Sequence, residues 1–174
     1  MNTFVIRRVL PEEYKLLASF GRDTFYETWK HYNTESDMQL YLDEAFDEKK
    51  IKKDIENTSV NTFLFAFKGD LLTGYVKLRN DRTYPELEGL KSLELERIYV
   101  SRDYLGKDVA QKLMEECFSI AKKDKYELMW LGVNIDNHRA IAFYNKYDFV
   151  TFGSKMFKLG DAEDQDFLMK KKLS

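Results

Sequence analysis

Asn137-His138-Arg139-Ala140-Ile141-Ala142-Phe143-Tyr144-Asn145-Lys146-Tyr147-Asp148-Phe149 reads as a helix leading into a strand. Asn137 suits a helix N-cap, because its side-chain oxygen can accept from a free N–H of the first turn. Phe143 faces the core, and Tyr144 beside it is either a second core aromatic or a phenol turned to a purpose. Asp148 follows the helix, and aspartate tolerates left-handed backbone better than most residues. Two earlier stretches belong with this one. Leu93-Glu94-Leu95-Glu96-Arg97-Ile98-Tyr99-Val100 is β-rich and predicts a strand within Ser92 to Val100. Period-two counting puts Glu94 and Glu96 on the same face as Ile98 and Val100. Leu105-Gly106-Lys107-Asp108-Val109-Ala110 is a loop turning into a helix from Gly106 to Lys123, with Val109, Leu113, Cys117 and Ile120 inward. A loop entering a helix offers unpaired N–H groups and a positive dipole end, which together suit a phosphate.

The remaining elements are read outward from these. Thr3 to Val9 predicts a first strand. Pro11, Glu12 and Glu13 suit a helix start, and Leu16, Leu17, Phe20, Thr24 and Phe25 carry that helix to about Trp29. Thr34 to Asp37 starts a second helix with Met38, Leu42, Ala45 and Phe46 as its apolar stripe, continuing as a charged helix from Asp47 to Asn57. Thr62 to Phe67 and Leu71 to Leu78 predict a hairpin about Lys68-Gly69-Asp70, and Gly74 within the return strand marks a bulge or a close backbone contact. Asn80 to Lys91 is a polar loop. Leu128 to Val133 and Phe149 to Phe157 read as strands, Gly160 to Asp166 as an acidic turn region, and Phe167 to Lys171 as the closing strand. The order β, α, α, β, β, β, α, β, α, β, β predicts a single mixed α/β domain over residues 1–174.

Composition narrows the function. The 28 Lys and Arg against 30 Asp and Glu leave a net charge of −2, which argues against a nucleic-acid binder. One cysteine, Cys117, excludes an intrachain disulfide and a paired-cysteine metal site, and its helical position marks it as a core residue. His31 and His138 lie far apart, so no histidine-rich metal site is expected. No signal-peptide core or transmembrane run is apparent, and the expectation is a cytoplasmic protein without membrane contact.

Together, the helix ending in Phe143-Tyr144, the Leu93–Val100 strand, the Leu105–Ala110 loop and the Lys68–Leu78 turn and strand resemble the GCN5-related N-acetyltransferase (GNAT) superfamily over nearly the whole chain. Asn137 to Phe149 matches N-x-x-A-I-x-F-Y-x-K-x-G-F except that Asp148 replaces glycine. Trp130-Leu131-Gly132-Val133 and the Thr24-Phe25 to Ala45-Phe46 region, with the Leu93–Val100 strand, are similar to PaiA-type bacterial spermidine/spermine N-acetyltransferases. The resemblance implies a central mixed, mostly antiparallel twisted sheet flanked by helices. It also implies acetyl-CoA as co-substrate, no metal, and direct attack of an amine on the thioester in a ternary complex. Its expected acceptor is a polyamine or another small cationic amine; the alternatives are a protein amine and a non-catalytic CoA-sensing module. A monomer or homodimer is expected.

The resemblance assigns roles residue by residue. Main chain at Ile98, Tyr99 and Val100 pairs with pantetheine. Leu105, Gly106, Lys107, Asp108, Val109 and Ala110 form the pyrophosphate loop, where Leu105 stands for the usual Gln or Arg and Asp108 for a glycine. The Asp108 carboxylate would compete with the diphosphate for the helix dipole, weakening CoA about tenfold. Asn137 contacts pantetheine, Lys146 reaches a phosphate, and Tyr144 protonates the departing thiolate. Glu96 is the implied base, with Glu94 the second candidate; the other reading of Glu96 is a strand glutamate paired with Arg97 or a cross-strand lysine. An alkylammonium must lose a proton before it can attack, which is why a carboxylate is sought. Tyr26, Trp29 and His31 are candidate acceptor contacts, and the acids of the second helical region, Asp37 to Glu48, would make a cation-attracting rim.

Overall fold

The computed structural model describes residues 3–173. Seven strands form one sheet in the order β1-β2-β3-β4-β5-β7-β6. They are β1 (Val5–Arg8), β2 (Asn61–Lys68), β3 (Leu71–Arg79), β4 (Ser92–Val100), β5 (Leu128–Asn134), β6 (Val150–Leu159) and β7 (Ala162–Lys172). Every neighbouring pair is antiparallel except β4 and β5, which are parallel. The helices are α1 (Tyr14–Trp29), α2 (Glu35–Ala45), α3 (Glu48–Glu56), α4 (Val109–Lys123) and α5 (His138–Asn145). α4 is the crossover that the parallel pair requires.

The helices cover both faces. On one, Val109, Leu113, Met114, Cys117 and Ala121 of α4 and Tyr144 of α5 pack on Val76, Leu78, Leu93, Leu95, Met129 and Leu131. On the other, Leu17 and Phe25 of α1, Met38 and Leu42 of α2, and Ile51 and Ile55 of α3 pack on Phe63, Phe65 and Tyr75. Thr34 caps α2 by accepting from Asp37 N–H at 3.1 Å, as its sequence predicts. The second helical region divides in two: Asp47 accepts from Lys50 N–H at 2.9 Å, caps a new helix and lets α3 turn away from α2. α4 begins three residues later than expected, because Gly106 and Asp108 both take positive φ. The acidic turn is likewise shorter: the chain reverses at Gly160-Asp161, and 162–166 already belong to β7.

Two bulges shape the middle of the sheet. In β3, Ala66 pairs with Gly74 and Phe67 with Leu72, so Thr73 is the extra residue. A side chain on Gly74 would meet Tyr99 O at 3.0 Å and Val109 Cγ1 at 3.0 Å, so both readings of that glycine hold. In β4, Lys77 pairs with Arg97 and Leu78 with Leu95, which leaves Glu96 as the extra residue. The face therefore switches at this point. Leu93 and Leu95 before the bulge, and Ile98 and Val100 after it, all face α4. Glu94 and Glu96 face the opposite side, with Arg97 and Tyr99. The expectation that the two glutamates share a face with Ile98 and Val100 fails because strict alternation assumes an unbroken ladder.

Candidate active site

β4 and β5 pair over only three positions, Ser92 to Leu128, Leu93 to Met129 and Glu94 to Trp130. Beyond them the strands part, and the rest of β4 keeps a strand partner on its β3 side alone. Ser101 N–H donates to Thr73 O at 2.9 Å. The alternation of an antiparallel ladder then turns the N–H and C=O of Tyr99 toward β3 and those of Ile98 and Val100 into the gap. These are unpaired backbone groups that an amide-bearing chain such as pantetheine can use. The gap opens into a cleft of about 1360 Å³ that runs from the N-terminus of α4 to the space between α1 and the β6–β7 hairpin.

At the α4 end, Leu105, Gly106, Asp108, Val109 and Ala110 line the cleft. Gly106 has φ +75, where it is free of the penalty a Cβ would bring. Asp108 has φ 63, its C=O accepts from Lys112 N–H at 2.9 Å, and its side chain makes no cap bond. The first N–H groups of α4 are thus left to the cleft, as a diphosphate requires. Lys107 is not in the lining; its ammonium sits 5.1 Å from the centre of the Tyr104 ring.

From α5, Asn137, Tyr144 and Lys146 reach the lining. Asn137 Oδ1 accepts from Ala140 N–H at 3.2 Å, so the residue serves as the helix cap. Asp148 has φ 63, the left-handed turn expected after the helix. The Tyr144 ring is buried against Phe149, with centroids 5.8 Å apart. Its hydroxyl has no hydrogen-bond partner among the described residues, and burial pushes the phenol well above its usual range. Tyr144 is therefore neutral and can donate a proton into the cleft. Cys117 lies beneath it in the core, where burial pushes the thiol up and leaves it unreactive.

The far half of the cleft is walled by Phe25, Trp29, Tyr41, Tyr99 and Phe157. Trp29 Nε1 donates to Tyr99 Oη at 3.2 Å, fixing α1 to β4. His31 lines the rim. Tyr26 does not reach the cleft, because its hydroxyl donates outward to Glu35 at 3.0 Å.

Glu94 and Glu96 lie here but in different surroundings. Glu96 receives Lys77 Nζ at 2.9 Å, with Arg79 and Arg82 each at 3.5 Å. Burial opposes its charge, but Lys77, Arg97 and Arg82 outweigh it and hold the carboxyl at about 2. Lys77 is buried and also meets Asp54 at 3.0 Å. Glu94 is 2% exposed, with Arg82 at 3.6 Å from one oxygen and no hydrogen-bond partner for the other. Burial and the neighbouring Glu96 charge raise its pKa.

Arg82, Arg97, Lys155, Asp164 and Asp166 also line this half. Sequence reasoning missed them. Lys155 of β6 and Asp166 of β7 come to this side because β7 inserts between β5 and β6. For Arg97 there was a signal, since the apolar positions shift from Leu93 and Leu95 to Ile98 and Val100 across it. Burial raises the Asp166 pKa. Among the described residues no group of three or more His, Cys, Asp or Glu is placed to hold a metal ion, and no helix is long and apolar enough to cross a membrane.

Comparison with known proteins bears on this cleft. The model of the acetyltransferase (GNAT) family matches residues 22–149. An N-acetyltransferase encoded in the pepI 3′ region of Lactobacillus delbrueckii subsp. lactis is 29% identical over 169 residues, covering 97% of this chain and 95% of that one. The spermidine N(1)-acetyltransferase of Thermoplasma acidophilum is 25% identical over 170 residues, covering 96% of each chain. In fold, the chain is similar to the crystal structure of a PaiA N-acetyltransferase from Thermoplasma acidophilum in complex with coenzyme A. There the TM-score is 0.79 at 23% identity, over 98% of this chain and 99% of that one.

Proposed function

Since this chain belongs to the acetyltransferase (GNAT) family, and is thus an acetyltransferase that draws on acetyl-CoA, we propose that its acceptor is a polyamine or another small cationic amine. The observation that carries this reading is Glu94, a buried carboxylate facing the cleft with one oxygen unpartnered. Arg82 stands 3.6 Å from one oxygen, and leaving the other buried and unpartnered is costly, a cost an incoming alkylammonium would relieve. Asp164 and Asp166 extend the acidic lining beyond it, and the aromatic walls suit the methylene segments of a diamine. The spermidine acetyltransferase relative adds weight to the same acceptor class.

In the mechanism this reading implies, the N-terminus of α4 holds the pyrophosphate, and Ile98 and Val100 offer main-chain groups to pantetheine and to the thioester carbonyl. Glu94, directly or through water, takes the proton from the acceptor ammonium. Glu96 is the weaker choice for that step, because a carboxylate held at about 2 has little tendency to accept a proton at neutral pH. Its charge instead raises the proton affinity of Glu94 and anchors Lys77 and Arg82. The free amine attacks the carbonyl carbon and the C–S bond breaks; the nitrogen's remaining excess proton leaves by way of Glu94 to solvent, and Tyr144 protonates the thiolate and is reprotonated from solvent.

The test is CoA-thiol release with a panel of acceptors: spermidine, spermine, putrescine, uncharged alcohols and an acidic amine. Turnover confined to cationic amines, and lost in Glu94→Gln, fits the proposal. Preference for the acidic amine, or an unaffected Glu94→Gln variant, would overturn it.

A further inference from the structure

We propose that Lys155 is itself an acetyl acceptor, so that without a small amine the protein transfers the acetyl group of bound acetyl-CoA to Lys155 Nζ in its own cleft. The proposal rests on acetyl transfer within this cleft, and it is independent of which external amine is used.

The argument begins with register. Lys155 of β6 stands opposite Asp166 of β7, and Leu168 of β7 stands opposite Gly132 of β5. Residues opposite one another, or two apart along a strand, share a face. Lys155, Asp166 and Gly132 are therefore on one side of the sheet, the side that Glu94 also faces through its pairing with Trp130. The contact with Gly132 is close. A Cβ built on Gly132 would stand 2.9 Å from Lys155 Cε, 3.2 Å from its Nζ and 3.4 Å from Asp166 Oδ2. The lysine thus lies across β5 in a notch left by the missing side chain.

Gly132 is two residues beyond Trp130, the last β5 residue paired with β4. The Lys155 amine therefore sits at the narrow end of the gap between the two strands. A pantetheine entering from the α4 end and lying along β4 carries its thioester toward that end. The lysine is also uncommitted. Lys77, the buried lysine nearby, is held by two carboxylates at 3.0 and 2.9 Å. Lys155 has no carboxylate oxygen within 4 Å among the described residues, although Asp166 and Glu94 both lie close enough to feel its charge. An ammonium that faces carboxylates without being pinned by them can shed its proton to one of them and still swing.

The step balances as follows. The Lys155 ammonium gives up one proton, through Glu94 or Asp166, to solvent. Its nitrogen attacks the thioester carbon, forming the amide C–N bond as the C–S bond breaks. The nitrogen's remaining excess proton leaves by the same carboxylates, and the thiolate takes the phenolic proton of Tyr144, which solvent then restores. The products are one acetyl-lysine, one CoA thiol and one net proton. Acetylation removes the positive charge of Lys155 that Glu94 and Asp166 feel.

The experiment incubates the whole protein with acetyl-CoA and no amine, follows intact mass, and maps the modified peptide. The expected result is one acetyl group per chain, located at Lys155, absent in Lys155→Arg. It is suppressed by excess CoA and slowed about a hundredfold in Tyr144→Phe. Acetyl groups scattered over exposed lysines such as Lys49 and Lys122 and indifferent to excess CoA would overturn the proposal, as would no acetylation at all. The same preparation is assayed for CoA-thiol release with the amine panel and titrated with acetyl-CoA. Turnover of an amine without acetyl-Lys155 overturns this inference alone; no acetyl-CoA binding overturns the reading of the cleft beneath it.

Discussion

Replacing Asp108 by asparagine should tighten acetyl-CoA binding. The side chain sits at the entrance to α4 with φ 63 and ψ 2, exposed, lining the cleft and making no cap bond. Its charge therefore does nothing for the fold beyond its place at a helix N-terminus, a contribution of about 0.5 kcal/mol. It stands where a diphosphate would take up the first N–H groups of the helix. One pair of like unit charges at contact range in water repels by about 1 kcal/mol, and a second phosphate charge farther away brings the sum to about 1.4 kcal/mol. Removing the carboxylate should lower Kd about tenfold. Asparagine is nearly isosteric and tolerates left-handed backbone, so the loop keeps its path. Calorimetric titration of both proteins at low and high salt is the assay. The difference should shrink as salt rises, because the Debye length falls from about 10 Å at 0.1 M to about 3 Å at 1 M. Unchanged or weaker binding in the variant, or a gain that salt does not alter, would refute the reasoning. Asp108→Ala separates charge from backbone, since alanine bears a left-handed penalty of about 1 kcal/mol that asparagine largely escapes.

Three more expectations follow from the same geometry. Tyr144→Phe should keep the melting temperature within a few degrees and leave acetyl-CoA affinity unchanged, because the hydroxyl has no protein partner among the described residues, while kcat falls at least about a hundredfold in a thiol-release assay. Glu96 is held at about 2 against an ordinary 4.5, so its ionised form is the one that folding favours; it contributes about 3 kcal/mol above pH 5, lost as pH falls toward 2, and denaturant melts of Glu96→Gln should show a flatter acid limb. Gly74→Val should cost about 2 kcal/mol in a urea melt, because the new Cβ would meet Tyr99 O at 3.0 Å and Leu113 Cδ1 at 3.1 Å, neither of which yields freely.

Much of the fold was legible because local chemistry and tertiary structure agree. β4 runs from Ser92 to Val100 as predicted, Thr34 and Asn137 cap their helices, and Asp148 takes the left-handed turn. The α4 end of the cleft was legible for the same reason: Ile98, Val100, Gly106, Asp108, Val109, Ala110 and Tyr144 line it on β4, α4 and α5 or the loops beside them, whereas Lys107 turns away. The far half was not. Which way Glu96 points depends on a bulge, and one extra residue in a ladder turns every later side chain to the opposite face. The division between α2 and α3 had its signal in Asp47, an N-cap residue that a continuous charged pattern concealed. Lys155 and Asp166 could not be joined to Gly132 by reading along the chain, because no local pattern says that β7 will enter the sheet between β5 and β6.

The two halves of the cleft share β4 and differ in what else the chain brings to them. The walls at the α4 end come from the continuous run from β4 through α4 and β5 to α5, whereas the far half adds α1, Tyr41 and the β6–β7 hairpin to Glu94, Glu96, Arg97 and Tyr99 of β4. That hairpin is tied to α2 by Asp161 N–H donating to Asp37 at 2.9 Å. Mutations confined to α1, Tyr41 and the hairpin would change the walls of the far half and leave the α4 end as it is. On the proposed function, a lineage carrying this scaffold can reshape its acceptor space by changing these outlying segments while the β4 groups that do the chemistry stay in place.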